Sequence, residues 1–292
     1  MVPVLTAAVI LLFVFQTLSM KLQHAPYLPQ KLLVNCLFSL AAAAALWAGR
    51  LAFPALFSVS RPTLVYGIGF GVVFALTILF YNLAIGAGPL AYTTFYFSSS
   101  MLIPTCAGIL FFREPFKASL LAALVLFLAA FYFLNVSPGG QRRGAPHWPA
   151  LCALTFVCNG LCAVLQKAQQ NATGGAESVG LMLVGFTAAF FCYGALYLFL
   201  RRRLPPAEMD GLALAARNAL AILLLTAGSA GGNLLLTWLA GRTPASYLFP
   251  LVQGGIVVGV TLCSVLFFKE KLSRRSCFGL ALGVCAIAVI NL

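Results

Sequence analysis

Acidic residues are almost missing from this chain. Asp and Glu number five in 292 residues, His two, and charged residues of either sign make up 8% against 62% hydrophobic. Soluble domains carry about 25% charged and about 45–50% apolar residues, so five carboxylates cannot solvate a globular surface of this size. An enzyme working by acid–base or metal chemistry would need carboxylates or imidazoles inside the apolar segments. Here Glu177, Glu208 and Asp210 fall at a segment start or in a loop, His24 and His147 fall in loops, and no segment centre holds Asp, Glu or His. The expectation is an integral membrane protein that is not an enzyme and has no cofactor and no metal.

Mid-segment positive charge is also lacking, although the net charge is +13. All eighteen Lys and Arg lie in or beside the gaps between apolar runs, where charges that set membrane topology belong. No basic stripe is interleaved with aromatics, so nucleic acid is not an expected partner. Cysteines are not scarce, but Cys36, Cys106, Cys152, Cys158, Cys162, Cys192, Cys263, Cys277 and Cys285 are odd in number and all lie in apolar runs. They read as small polarizable packing residues rather than a disulfide or zinc framework. The period-2 alternation of a membrane β-barrel is absent.

What the chain has is long apolar runs. A bilayer core of about 30 Å takes roughly 20 residues of helix. Segments 2–20, 30–49, 62–85, 89–112, 116–135, 148–168, 177–200, 215–240, 244–268 and 275–292 meet or nearly meet that need. The first begins at Val2 without a basic stretch before it or a small-residue cleavage site behind it, and reads as a retained helix.

The second positive feature is an internal repeat. Phe111-Phe112-Arg113-Glu114-Pro115-Phe116 returns 156 residues later as Phe267-Phe268-Lys269-Glu270-Lys271-Leu272, and each block is followed by one more apolar segment. Thr77 to Ala84 matches Asn233 to Ala240 at the same offset, and Pro89 and Tyr92 match Pro244 and Tyr247 at 155. Val34 to Trp47 runs against Val184 to Tyr197, and Gln16 and Leu22-Gln23 run against Asn159 and Leu165-Gln166. The expected organisation is two five-helix units, residues 1–136 and 148–292. Five is odd, so the second unit enters the membrane from the opposite face. An all-α protein of ten transmembrane helices in two inverted repeats is the arrangement that alternating-access transporters use.

At the two Phe-Phe-basic-Glu blocks the chain resembles the drug/metabolite transporter superfamily, specifically its EamA-like ten-helix members. Leu266 to Ser273, followed by Gly279 and Gly283, resembles the end of an EamA repeat, and Leu110 to Lys117 is a poorer copy. The resemblance implies that helices 1, 3, 4, 6, 8 and 9 surround a central cavity while 5 and 10 pack outside. It also implies substrates ranging over amino acids, nucleotide sugars, quaternary amines and drugs. The related small multidrug resistance proteins carry a glutamate in helix 1, where this chain has Gln16 and Ser19, which argues against proton-coupled antiport of cationic drugs.

Polar uncharged residues inside the segments are then the candidate solute-binding set, because burying them in hydrocarbon costs free energy unless they face protein or water. Polar character recurs at repeat-related positions: Gln16 with Asn159, Thr77 with Asn233, and Tyr81 with Thr237 beside Trp238. Segment 4 adds Tyr92, Tyr96 and Ser99, which share a face by helical spacing, and segment 9 adds Tyr247 and Gln253. Single members such as Asn35, Thr261 and Ser264 also serve as interhelical glue. Glu114 and Glu270 read as gating or structural residues, pairing with neighbouring bases or capping the next helix. Pro104 and Pro250 read as kinks or gates, and Gly67, Gly71, Gly228, Gly231, Gly232, Gly254 and Gly255 as packing positions or hinges.

An aromatic-and-amide lining without fixed charge fits a neutral or zwitterionic metabolite, such as an amino acid, moved by alternating access. A choline-like importer with an aromatic cage is the alternative, and a non-transporting membrane scaffold a third. The expected setting is the cell membrane, of a bacterial inner-membrane kind, with a small solute and lipid as partners and a monomer or homodimer as the assembly. Twelve basic residues lie in loops on the side opposite the termini against six on the other, in numbering by odd and even loops, so the positive-inside rule puts the termini outside, whereas ten-helix relatives are expected to keep them in the cytoplasm.

Overall fold

The computed structural model describes residues 1–88, 90–135, 145–201, 211–268 and 273–292. Among them no strand forms; the chain is α1 (Val2–Lys21), α2 (Leu28–Ala52), a 3-10 turn at Pro54–Leu56, α3 (Arg61–Ala87), α4 (Leu90–Ser99), α5 (Leu102–Leu110), α6 (Ala118–Asn135), α7 (Trp148–Ala172), α8 (Ser178–Leu200), α9 (Gly211–Arg217), α10 (Ala219–Ala240), α11 (Ala245–Phe268) and α12 (Arg274–Ile290). Seven of these helices, α1, α2, α3, α7, α8, α10 and α11, are long and apolar enough to cross a bilayer. The chain is an all-α, multi-pass membrane protein. α6 is apolar but shorter, α12 runs for 17 residues, and the fourth expected segment is split into α4 and α5.

Two compact units form. One holds residues 1–75 and 165–241, the other 76–164 and 242–292, and the divide passes through α3 and α7. Each unit takes helices from both halves of the sequence, so the compact units and the sequence repeats are different divisions of the chain.

In the first unit α1 packs on α10, and α2 packs on α8 and α10. Small residues allow the close approach that packing in lipid depends on. A Cβ at Gly228 of α10 would sit 2.7 Å from the Leu12 carbonyl oxygen of α1, and one at Gly71 of α3 would strike the Gly185 carbonyl of α8. Both glycines sit at close helix–helix packing contacts. Phe38, Phe74, Phe186 and Tyr193 fill the space between, Phe74 meeting Phe186 edge-on at 6.0 Å.

In the second unit α12 lies along α6, α11 packs on α5 and α12, and α4 packs on α6. The core is Met101, Leu120, Leu124, Phe127, Phe131, Leu251 and Ile290, with the Phe127 ring seated on Gly254 of α11.

Candidate functional site

The sequence Ser98-Ser99-Ser100-Met101-Leu102-Ile103-Pro104 breaks its helix. Pro104 has no N–H, and its ring crowds the carbonyl four residues back, that of Ser100. α4 accordingly stops at Ser99 and α5 starts at Leu102. Across the gap the main chain changes to three-residue steps: Ser100 N–H donates to the Phe97 carbonyl at 3.3 Å and Ile103 N–H to the Ser100 carbonyl at 3.0 Å. Thr105 N–H returns to the four-residue pattern, donating to Met101 at 3.2 Å. Irregular backbone within apolar surroundings has to find partners for its freed polar groups. Asn159 of α7 supplies one: its Nδ2 donates to the Phe97 carbonyl at 3.3 Å and to Ser100 Oγ at 2.6 Å. Ser100 Oγ donates to the same carbonyl at 2.7 Å. The next residue is Gly160, where a Cβ would come within 2.5 Å of the Ile103 side chain, so α7 lies directly against the start of α5. Ser99, at 5% exposure, has no hydrogen-bond partner for its Oγ.

Other sequence-predicted residues belong to the same unit. The Tyr81 ring lies 4.9 Å from that of Phe97, and its hydroxyl is 3.4 Å from Thr94 Oγ1. Thr77 is buried with its Oγ1 3.8 Å from Cys162 Sγ. Tyr96, placed on the Ser99 face by spacing, is 40% exposed and meets Phe95 edge-on; the side chain of Tyr92 lies outside the described residues. Tyr247 donates its hydroxyl to Asn291 Oδ1 at 2.6 Å near the end of the chain, and Gln253 is half-buried on α11. Pro250 leaves α11 continuous.

The first unit holds the remaining candidates. Gln166 Nε2 donates to Asn233 Oδ1 at 3.1 Å and Thr237 Oγ1 at 3.0 Å, tying α7 to α10, while Trp238 is half-buried on the next position of α10. Gln16 on α1 has a buried, unpartnered Oε1.

Gln169 and Gln170 escaped the sequence reading because α7 runs to Ala172, past the expected end at 168. Lys167, expected beside a loop, is 8% exposed, and its Nζ donates to the Ala240 carbonyl at 2.9 Å. That position, the C-terminus of α10, is where a helix dipole favours a cation. Lys167 lies beside the gap that follows segment 148–168, as expected, but within the last two turns of α7. Gln169 Nε2 donates to Thr63 Oγ1 at 2.8 Å, and Gln170 Nε2 to the Ala176 carbonyl at 3.0 Å, while Ser178 Oγ donates to Gln170 Oε1 at 3.2 Å. The signal was present in the sequence: Gln166, Gln169 and Gln170 recur at the three- and four-residue spacing of one helix face.

Two glutamates, Glu114 and Glu177, are helix caps. Arg113, with φ 54°, turns the chain back after α5, and Glu114 receives Ala245 N–H on Oε1 at 2.7 Å and Ser246 N–H on Oε2 at 2.8 Å. Gly108 leaves the space this carboxylate occupies. Capping was one of the expected roles, but the helix capped is α11, 131 residues away, and not the next one. Glu177, with φ 60°, does the same for α3: its Oε2 receives Ser60 N–H at 3.0 Å, Ser60 Oγ at 2.7 Å and Thr63 Oγ1. Burial pushes the Glu177 carboxyl up, but the hydrogen bonds from Thr63 and Ser60 outweigh it and hold the group below its ordinary value of 4.5. Glu270 lies outside the described residues.

No family model matches the chain, and no curated protein matches it. The fold itself is a known one. A crystal structure described only as that of a protein matches with a TM-score of 0.75 at 21% identity, over 99% of this chain and 95% of the other.

Proposed function

We propose that this protein is a secondary transporter of the EamA-like drug/metabolite type, resident in a cell membrane of the bacterial inner-membrane kind. It moves a small neutral or zwitterionic solute by alternating access, and the break between α4 and α5 belongs to its binding site. The observation that carries this reading is the break itself, at Ser100 and Met101, with a carbonyl held by Asn159 and a buried hydroxyl on Ser99 left without a partner. Discontinuous helices in membrane proteins occur where backbone lines a cavity or is buried against protein, and transporters place solute sites at them.

Two patterns support a ten-helix inverted repeat. Exchanging the two five-segment halves maps segment 2 onto 7, 4 onto 9 and 5 onto 10, and the packed pairs include α2 with α8, α5 with α11 and α6 with α12. The same exchange relates two polar contacts. Glu177, ahead of α8, holds the start of α3, and His24, ahead of α2, donates its N–H to Asn218 Oδ1 at the start of α10 at 2.8 Å.

The test is solute counterflow in proteoliposomes, with amino acids, nucleosides, sugars and quaternary amines supplied in turn. Saturable exchange of one class supports transport. Cooperatively melting protein that exchanges none of them and is stabilised by none of them refutes it in favour of a scaffold.

A further inference from the structure

The first turn of α12 carries the charge that a helix start disfavours. The positive end of a helix dipole attracts anions, yet this turn holds Arg274 and Arg275 and no acidic residue. Its cap is neutral: the Ser273 hydroxyl accepts Ser276 N–H at 3.1 Å. α6, along which α12 lies, adds no compensation, since neither helix contains Asp or Glu. Two positive charges at such a place cost free energy that an arriving anion would recover.

Rings, not a carboxylate, hold Arg275. Its guanidinium carbon lies 5.1 Å from the ring centroids of both Tyr132 and Phe133, at the end of α6. Phe278, three residues on from Arg275, meets Phe133 edge-on at 5.0 Å. The residue is half-buried, and its buried Nε has no hydrogen-bond partner. Arg50 gives the contrast. It lies 5.5 Å over Trp47 and also donates Nη1 to the Phe57 carbonyl at 3.1 Å. Arg275 has the aromatic seat without the acceptor, and a planar fork held this way matches two oxygens of one phosphate.

The surroundings indicate which phosphate. The 17 residues of α12 rise about 26 Å, close to the hydrocarbon thickness of about 30 Å, so a helix starting at Arg274 starts at headgroup level. Tyr132 and Phe278 are 43% and 53% exposed, as aromatic side chains at that level are. Farther along the two helices Val125 and Val284 are exposed as well, an apolar face for acyl chains. A second copy of the chain fits this face poorly. A two-fold contact sets a patch against itself, which would bring arginines together with no carboxylate on either helix to separate them.

We infer that the start of α12 and the end of α6 form a binding site for an anionic phospholipid. Arg275 takes the phosphate, Arg274 adds charge, and the acyl chains lie along the exposed apolar face. The site stands independently of transport.

Native mass spectrometry of the full chain in detergent tests it, with phosphatidylglycerol and phosphatidylcholine of the same acyl chains titrated in turn. Both lipids carry a phosphate, but only the first has a net negative charge. Wild type should bind phosphatidylglycerol at least about tenfold more tightly, and each arginine should supply about fivefold. Arg275→Gln and Arg274→Gln should therefore each weaken phosphatidylglycerol about fivefold and leave phosphatidylcholine unchanged, while Arg50→Gln leaves both unchanged. R275Q also gives up its ring contacts, so its melting temperature in phosphatidylcholine is read alongside. R274Q replaces an exposed side chain and carries the test alone if R275Q does not fold. Equal binding of the two lipids by wild type overturns the site, as does an undiminished preference in R274Q or in folded R275Q, or an equal loss in R50Q. A dimer cross-linked in vesicles through the exposed Cys277 and abolished in Cys277→Ser would seat a second copy on this face and overturn it too.

Discussion

The fourth and ninth apolar segments match in sequence, Pro89 and Tyr92 against Pro244 and Tyr247, and both contain proline, yet one is broken and the other is not. Pro104 lies beyond the middle of its segment and divides it into α4 and α5; Pro250 is the sixth residue of α11, which runs unbroken from Ala245 to Phe268. The missing N–H of Pro250 would have met the carbonyl of Ser246, in the first turn, where Glu114 already holds the helix start through two main-chain N–H groups. At Pro104 the missing N–H leaves the Ser100 carbonyl, which takes Ile103 N–H at 3.0 Å instead, and Asn159 from another helix donates to the nearby Phe97 carbonyl. Proline alone does not decide whether a membrane helix breaks. The outcome follows from its distance from the helix end and from which neighbour takes up the carbonyls it releases.

The largest expected effect comes from removing that difference. Pro104→Ala restores the N–H and lets α4 and α5 join; exchange of the solute should fall at least about tenfold if the break is part of the site, because misplaced binding groups lose rate steeply. Pro250→Ala should leave exchange within about twofold, since α11 is continuous already. Counterflow rates of the two variants at equal reconstitution check both. A drop in both, or in neither, would end the contrast between the segments.

A smaller effect is expected at the cap. Glu114→Gln keeps one acceptor but loses charge and one of two strong hydrogen bonds, so it should cost about 1–2 kcal/mol of stability, read as a lower melting temperature. Hydrogen exchange should rise at Ala245 and Ser246 first. With its start freed, the first turn of α11 ahead of Pro250 would fray, bringing α11 closer to the condition of the broken segment.

Much of this was legible in the sequence, for physical reasons that differ by residue. Apolar length located the seven helices long enough to cross a bilayer, and Pro104 and Asn159 were legible as a kink and as a polar residue out of place in hydrocarbon. Their meeting was not legible: Asn159 reaches residues 97–100 only through the packing of α7 against α5, which depends on Gly160 having no side chain to hold Ile103 away. Lys167 was read as lying beside a gap because hydropathy ends the sixth segment at 168, whereas buried amide and hydroxyl partners carry the helix on to Ala172. Glu114 was legible as a cap by its type and place at a helix end. Its client was not, because a side chain's distant partner follows from tertiary packing and leaves no local pattern.

The smallest effect sharpens the comparison by supplying its control. Glu177 caps α3 as Glu114 caps α11, but α3 carries its proline, Pro62, in the first turn, where the missing N–H would have had no helical partner in any case. Losing this cap should therefore cost less, about 0.5–1 kcal/mol after solvent screening of a half-buried carboxylate. The sign of the pH dependence follows from the direction of the shift. Hydrogen bonds from Thr63 and Ser60 hold the folded carboxyl below the ordinary value of 4.5, so folding gains from the ionised form above that value. The gain is lost as pH falls through the lower, folded value, where both states are protonated. Melting temperatures of wild type and Glu177→Gln, measured from pH 7 downward, should differ by a constant amount to about pH 5 and converge below 4.5. A gap that persists unchanged into that acid range would mean that the carboxylate charge is not what holds the start of α3.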